Sequence, residues 1–189
     1  MEIRLTYCTF DDKYVVQFTS KDIKKVEEKD LSLQPRGNTA LLDAVGKMIN
    51  ETQERLDKIP KKDQPLKVTF MIITDGQENA SREFNIAQIK KMVEHQKNSH
   101  GWEFNFLGAN IDAFSTGSML GFDNSVNYKS TSIGTKAMFN VHTISRKAVY
   151  KSAAEASDDM LDSMDFASSI DDAAILKEEE ALEKEEAKK

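Results

Sequence analysis

The chain has 189 residues, 39% of them apolar and 31% charged, which suits one domain with a sizeable core and the composition of a soluble globular protein. No apolar run approaches the roughly 20 residues of a membrane-spanning helix. The net charge of −6 is uneven: residues 155–189 carry 13 acidic and 4 basic side chains, leaving 19 acidic and 22 basic in residues 1–154. A body so close to neutral lacks the concentrated basic stripe of a nucleic-acid binder, and Lys24-Lys25, Lys61-Lys62 and Lys90-Lys91 read as solvated surface.

The opening Met1-Glu2-Ile3-Arg4-Leu5-Thr6 lacks the basic-then-apolar order of a secretory signal. A single cysteine, Cys8, excludes an internal disulfide and fits a reducing compartment, so the cytoplasm is the expected location.

Residues 3–10 alternate, with Ile3, Leu5 and Tyr7 on one face and Arg4, Thr6 and Cys8 on the other. Residues 14–19 form a second β-rich run, and the short polar connector Asp11-Asp12-Lys13 predicts an antiparallel hairpin. From Ala40 the period changes: Leu41, Leu42, Val45, Met48, Ile49, Thr52, Leu56 and Ile59 recur at helical steps, and Pro60 and Pro65 bracket the loop that ends the helix. Residues 68–73 (Val-Thr-Phe-Met-Ile-Ile) are nearly continuous in apolar character, as in a strand of a parallel sheet buried on both faces. A helix with Ile86, Ile89 and Val93 follows, then a strand at 103–107, a short helix at 113–120, a weak strand at 125–128 and a helix at 135–152. A hairpin followed by alternating strands and helices predicts a three-layer α/β sheet with helices on both faces.

This body spans residues 1–154. Residues 155–189 form an acidic tail, expected to be partly helical or disordered, and residues 177–189 offer almost nothing to bury.

In open α/β sheets, functional residues gather in loops beyond the carboxyl ends of the strands. Two segments belong in such loops: residues 35–44 (Pro-Arg-Gly-Asn-Thr-Ala-Leu-Leu-Asp-Ala), opening the first helix, and residues 72–79 (Ile-Ile-Thr-Asp-Gly-Gln-Glu-Asn), leaving the apolar strand. The carboxylate of Asp75 and the hydroxyl of Thr39 suit a small oxygen-coordinated cation. Equally, Thr39 suits a helix cap and Asp75 suits the backbone donors of its own turn. Chemistry alone leaves both readings open.

The stretch Gly-Asn-Thr-Ala-Leu-Leu-Asp-Ala (37–44) resembles the second motif of the metal-ion-dependent adhesion site (MIDAS) of von Willebrand factor A (vWA) domains, and Ile-Ile-Thr-Asp-Gly-Gln-Glu-Asn (72–79) resembles the third. Gly101-Trp102-Glu103-Phe104, leading to Leu107-Gly108-Ala109-Asn110, is similar to bacterial and phage-type members. The likeness runs in family order from about Leu5 to Ala154. It implies a vWA-like, Rossmann-like sheet with the hairpin at its edge, Thr39 as the hydroxyl ligand of a magnesium ion, and Asp75 as the acidic residue that reaches the metal through water.

One departure matters. Family members begin with a central strand ending in Asp-x-Ser-x-Ser, and no such motif occurs in this chain; Asp30-Leu31-Ser32-Leu33-Gln34 lacks the second serine. The sequence enters the family pattern at its second strand, so the central first strand is missing. Magnesium prefers six oxygens in octahedral geometry, which one hydroxyl and one outer-sphere carboxylate do not supply. Any magnesium binding by the chain alone is therefore expected to be weak.

Other candidates are weaker. His95, His100 and His142 show no metal-ligand spacing and are expected at surface or loop positions. Cys8 reads as a small core residue, Trp102 as packing, and no glycine-rich phosphate loop occurs. The resulting expectation is a non-enzymatic protein-interaction module with an incomplete MIDAS, whose partner offers an acidic group to complete the metal's shell. A magnesium-dependent phosphoester hydrolase and a metal-independent remnant with a regulatory or assembly role are the alternatives. The absent strand also leaves edges through which the chain could associate with itself or with a partner segment.

Overall fold

A computed structural model describes residues 2–34, 37–155 and 172–187. The chain divides into two units, one of Met1–Gln64 with Gln77–Met92 and the other of Pro65–Gly76 with Val93–Lys189.

In the first unit, β1 (Arg4–Phe10) and β2 (Tyr14–Asp22) pair antiparallel, with Cys8 opposite Val16 and Phe10 opposite Tyr14. The turn closes because the Asp11 carboxylate accepts the Lys13 N–H at 2.6 Å, the side-chain-to-backbone bond that favours Asp in tight turns. Helix α1 (Leu41–Asp57) buries Leu41, Val45, Ile49 and Leu56 along one stripe, as its spacing predicts. Its last carbonyl groups are met by Gln64, whose side-chain amide donates to the carbonyl oxygens of Leu56 (2.9 Å) and Ile59 (3.1 Å).

In the second unit, β3 (Thr69–Thr74), β4 (Glu103–Ala109) and β5 (Asn124–Tyr128) form a parallel sheet in the order β3-β4-β5. Helix α2 (Ile86–His100) lies between β3 and β4 in sequence and straddles the two units. Helix α3 (Ala113–Leu120) packs on one face of the sheet, where Gly117 lies against Phe106 and Ser125. Helices α4 (Ser132–Glu155) and α5 (Asp172–Glu186) cover the other face, closing a core of Leu107, Val126, Ala137, Met138, Ile175 and Leu182. Trp102, Phe70, Phe104 and Phe122 stack in succession, with ring centroids 5.0–5.5 Å apart. The described residues thus form a mixed α/β protein of five helices, a three-stranded parallel sheet and an antiparallel hairpin.

Three expectations are corrected. The acidic tail is not free of packing: α5 turns Ile175, Glu179 and Leu182 inward at helical spacing, although residues 156–171 lie outside the described residues. Strand β3 is not buried on both faces. Phe70 and Ile72 are buried, but Met71 and Ile73 are each 37% exposed. They share a face with Asn105 and Leu107 of β4. The helices cover the β4 and β5 columns on that face, while β3 pairs with β4 alone and lies at the sheet's edge. His142 is not a surface residue: it is buried in α4, and burial, then the charge of Arg146, lowers its imidazole to about 4, with Glu103 opposing.

That buried corner is polar. Arg146 (8% exposed) forks onto Glu103 (3%), donating to its two carboxylate oxygens at 2.5 and 3.0 Å. Asn105 donates to Glu103 at 3.1 Å, and Asn124 donates to Asn105 at 2.9 Å. Glu103, Asn105 and Asn124 open or closely follow the starts of their strands, away from the carboxyl ends where sites collect in such sheets.

Candidate functional site

The first motif segment starts α1. Thr39 does not cap that helix: the N-cap is Ala40, with no side-chain cap bond. The backbone of Thr39 is instead held by the segment that follows the other motif. Its N–H donates to the side-chain oxygen of Asn79 (2.9 Å), and its carbonyl accepts from the N–H groups of Asn79 (3.0 Å) and Ala80 (3.3 Å). Among the described residues, the Thr39 hydroxyl has no protein partner, so it stays available to solvent or ligand.

Two carboxylates complete the clamp. Asp43, buried in the first turn of α1, accepts the N–H groups of Arg82 (2.8 Å), Glu83 (2.9 Å) and Phe84 (2.9 Å). Glu78 accepts from Leu42 N–H (3.0 Å), Ala80 N–H (3.0 Å), Ser81 N–H (2.8 Å) and the Ser81 hydroxyl (2.7 Å). Ser81 in turn accepts the Asp43 N–H at 3.1 Å. Eight hydrogen bonds therefore join residues 39–43 to residues 78–84. Gly46 sits one turn on, where an added Cβ would lie 2.8 Å from the Phe84 ring, so only glycine lets that ring rest on the helix.

The electrostatics follow. Burial pushes the Asp43 carboxyl up, but the three backbone donors, with Lys47, outweigh it and hold the group below the usual carboxylate range. Glu78 is held low in the same way, burial being overcome by its donors from Ser81, Leu42 and Ala80. Both stay ionised at neutral pH and serve as acceptors.

Asp75 belongs to the second unit, at the carboxyl end of β3, and is exposed. It does not hold its own turn. Thr74 does that, its hydroxyl accepting the Gly76 N–H at 3.2 Å. The charge of Asp75 is felt at Tyr128, the last residue of β5, whose phenol is raised by burial first and by Asp75 second. Just past β4, Asn110 adopts a left-handed backbone (φ 56°), which asparagine tolerates better than most residues. Asp75, Asn110 and Tyr128 thus mark the carboxyl ends of the three parallel strands, the usual place for a site in such a sheet.

Thr39 and Asp75, singled out from sequence, lie in different units. Among the described residues, no three His, Cys, Asp or Glu side chains gather as a metal would require. One hydroxyl and one exposed carboxylate fall short of a magnesium shell. Cys8 is half-buried beside Tyr14 (3.4 Å) and Met48 (3.8 Å), and its thiol is raised by burial, which suits packing better than nucleophilic attack. Among the described residues, no helix is long and apolar enough to cross a membrane.

Sequence reasoning missed Asp43, Glu78, Asn79 and Ser81 as the residues that organise the site. A signal was present: an acid in a helix's first turn, and a Glu-Asn-x-Ser run just after a turn, are both patterns for capturing backbone N–H groups.

No protein-family model, no curated protein and no solved structure matches the chain.

Proposed function

We propose that the chain is a non-enzymatic protein-interaction module of vWA type, with Thr39 and Asp75 as the surviving residues of an incomplete metal-dependent adhesion site. The observation that carries this reading is the clamp between residues 39–43 and 78–84. Eight hydrogen bonds fix these two segments against each other, and a fixed loop surface binds a partner at a reduced ordering cost. The arrangement supports a binding surface more than a catalytic one, because the carboxylates of Asp43 and Glu78 are both consumed as acceptors of backbone N–H groups and neither is free to move a proton.

Photo-crosslinking from position 38 in cells tests the proposal. A discrete protein adduct is expected from Asn38, weakened by Asp43→Ala and by a magnesium chelator, and absent from a photo-crosslinker at Lys58; an adduct indifferent to chelator would favour the metal-independent remnant. Turnover of a phosphate ester by the purified chain with magnesium would overturn the reading in favour of a hydrolase.

A further inference from the structure

The inner face of α4 changes character along its length. Met138, His142 and Arg146 follow one another at four-residue steps, so they share one stripe of the helix. Met138 is buried in the core of the second unit, and His142 and Arg146 carry the stripe, still buried, into the polar corner. Among the described residues, two charged groups act on His142: Arg146 from its own helix and Glu103 from β4. Glu103 has no acceptor site to spare for a further cation. One of its oxygens takes Arg146 and Asn105 (2.5 and 3.1 Å), and the other takes Arg146 and Thr69 (3.0 and 3.4 Å). The Nε2 atom of His142 is itself buried, with no hydrogen-bond partner among the described residues. A neutral imidazole fits this corner. An imidazolium, donating from both nitrogens, does not: it adds a second buried cation beside Arg146 and leaves Nε2–H facing no acceptor.

We infer that His142 is an acid sensor: the closed corner has no place for its proton, so protonation releases α4 from β4 and opens the second unit. The inference goes beyond the interaction-module reading and does not depend on it. The direction follows from burial first and Arg146 second, which hold the folded imidazole down at about 4 against the opposing pull of Glu103. In an opened chain the same ring takes its proton at about 6.5. The stability that the neutral ring allows is therefore complete above about pH 6.5 and is lost as pH falls from there towards the folded value. Within that window, at about pH 5, the ratio of open to closed unit is expected to be about twenty-fold higher than at about pH 7. The clamp carboxylates Asp43 and Glu78, both held low, lose their contribution at lower pH and belong to the first unit.

Amide hydrogen exchange of the full chain, corrected for the intrinsic pH dependence of exchange, reads the opening at residues 104–107 and 138–146 from about pH 7 to about pH 5. The unaltered chain is expected to show the twenty-fold rise. His142→Gln, which keeps a polar side chain that takes no proton, is expected to cut the rise to under about three-fold, and His142→Met, apolar and of similar size, to do the same. His100→Gln, which removes an exposed histidine beside Trp102, is expected to keep the full rise. The ring signals of His142, followed by NMR in the unaltered chain, give a readout that needs no variant: they stay those of neutral imidazole down to about pH 5 for as long as the unit is closed. A His142 ring that protonates near pH 6.5 with exchange unchanged would overturn the inference. So would a rise that survives both His142 variants, or one that disappears in His100→Gln.

Discussion

Replacing Asp43 with alanine removes the acceptor of three backbone N–H groups at 2.8–2.9 Å. A hydrogen bond to a charged group contributes about 1.5–3 kcal/mol, so three give a gross figure of roughly 4.5–9 kcal/mol. Arg82 and Glu83 are exposed, and water can reach their freed N–H groups, which brings the expected net loss to about 2–4 kcal/mol. That range includes about 0.3–1 kcal/mol for an anion in the first turn of α1. Hydrogen exchange at residues 82–84 reads the local effect, while fluorescence of Trp102, in the second unit, reports whether unfolding spreads. Asp43→Asn, which keeps the shape and one oxygen acceptor, is expected to lose about half as much. The sign with pH follows from the depressed carboxyls of Asp43 and Glu78. Such groups add stability above their unfolded values, about 3.9 and 4.3, and that stability is lost as pH falls through the lower folded values. Protection at residues 80–84 should therefore fall away below about pH 4, with a shallower fall in Asp43→Asn. A change under about 0.5 kcal/mol in Asp43→Ala, with exchange at 82–84 unaltered, would refute the reasoning.

Three further outcomes are expected. Leu182→Ala should lower second-unit stability by about 2–3 kcal/mol in urea titration followed by Trp102 fluorescence, since the side chain closes the core beneath α5; a neutral result would return α5 to the status of a free tail. Glu103→Gln should cost about 3–5 kcal/mol by leaving Arg146 buried beside a neutral partner, and a Glu103→Leu, Arg146→Met double variant should recover much of that loss in the same titration. Asp75→Ala should change stability by less than about 0.5 kcal/mol, as expected at an exposed position, and calorimetry should find only weak magnesium binding. Tight stoichiometric binding abolished by Thr39→Ala would contradict that.

The elements were legible where a side-chain period imposed itself. The stripe of α1 states which face is buried, because its period meets one apolar surface, whereas β1 is half-buried from Leu5 to Phe10, with register shifts around Tyr7. Residues 68–73 were read as buried on both faces because composition does not reveal which column of a sheet stands at the edge; Met71 and Ile73 look identical in sequence whether covered or not. The packing of α5 was hidden by its charge: three consecutive glutamates, 178–180, obscure that Ile175, Glu179 and Leu182 share one face. His142 was hidden because its burial follows from α4 lying over a polar corner built from residues some 40 positions earlier. The site was half legible. The two segments were found by resemblance, but the bonds between them depend on backbone N–H groups, which every residue type but proline carries and which sequence therefore does not mark.

The proposed vWA-type binding module is tested most directly at β3, which among the described residues pairs on one side only. A synthetic peptide with the family's first-strand pattern, an apolar run ending in Asp-x-Ser-x-Ser, is added to the purified chain and thermal unfolding is followed with and without magnesium. Pairing along β3 would cover Met71 and Ile73, and full burial of a large apolar side chain contributes about 1.5–3 kcal/mol. The account predicts a melting temperature raised by several degrees with the peptide, a further rise with magnesium, and self-association of the free chain that the peptide reverses. A monomer in light scattering with a high melting temperature, indifferent to the peptide and to magnesium, would contradict it.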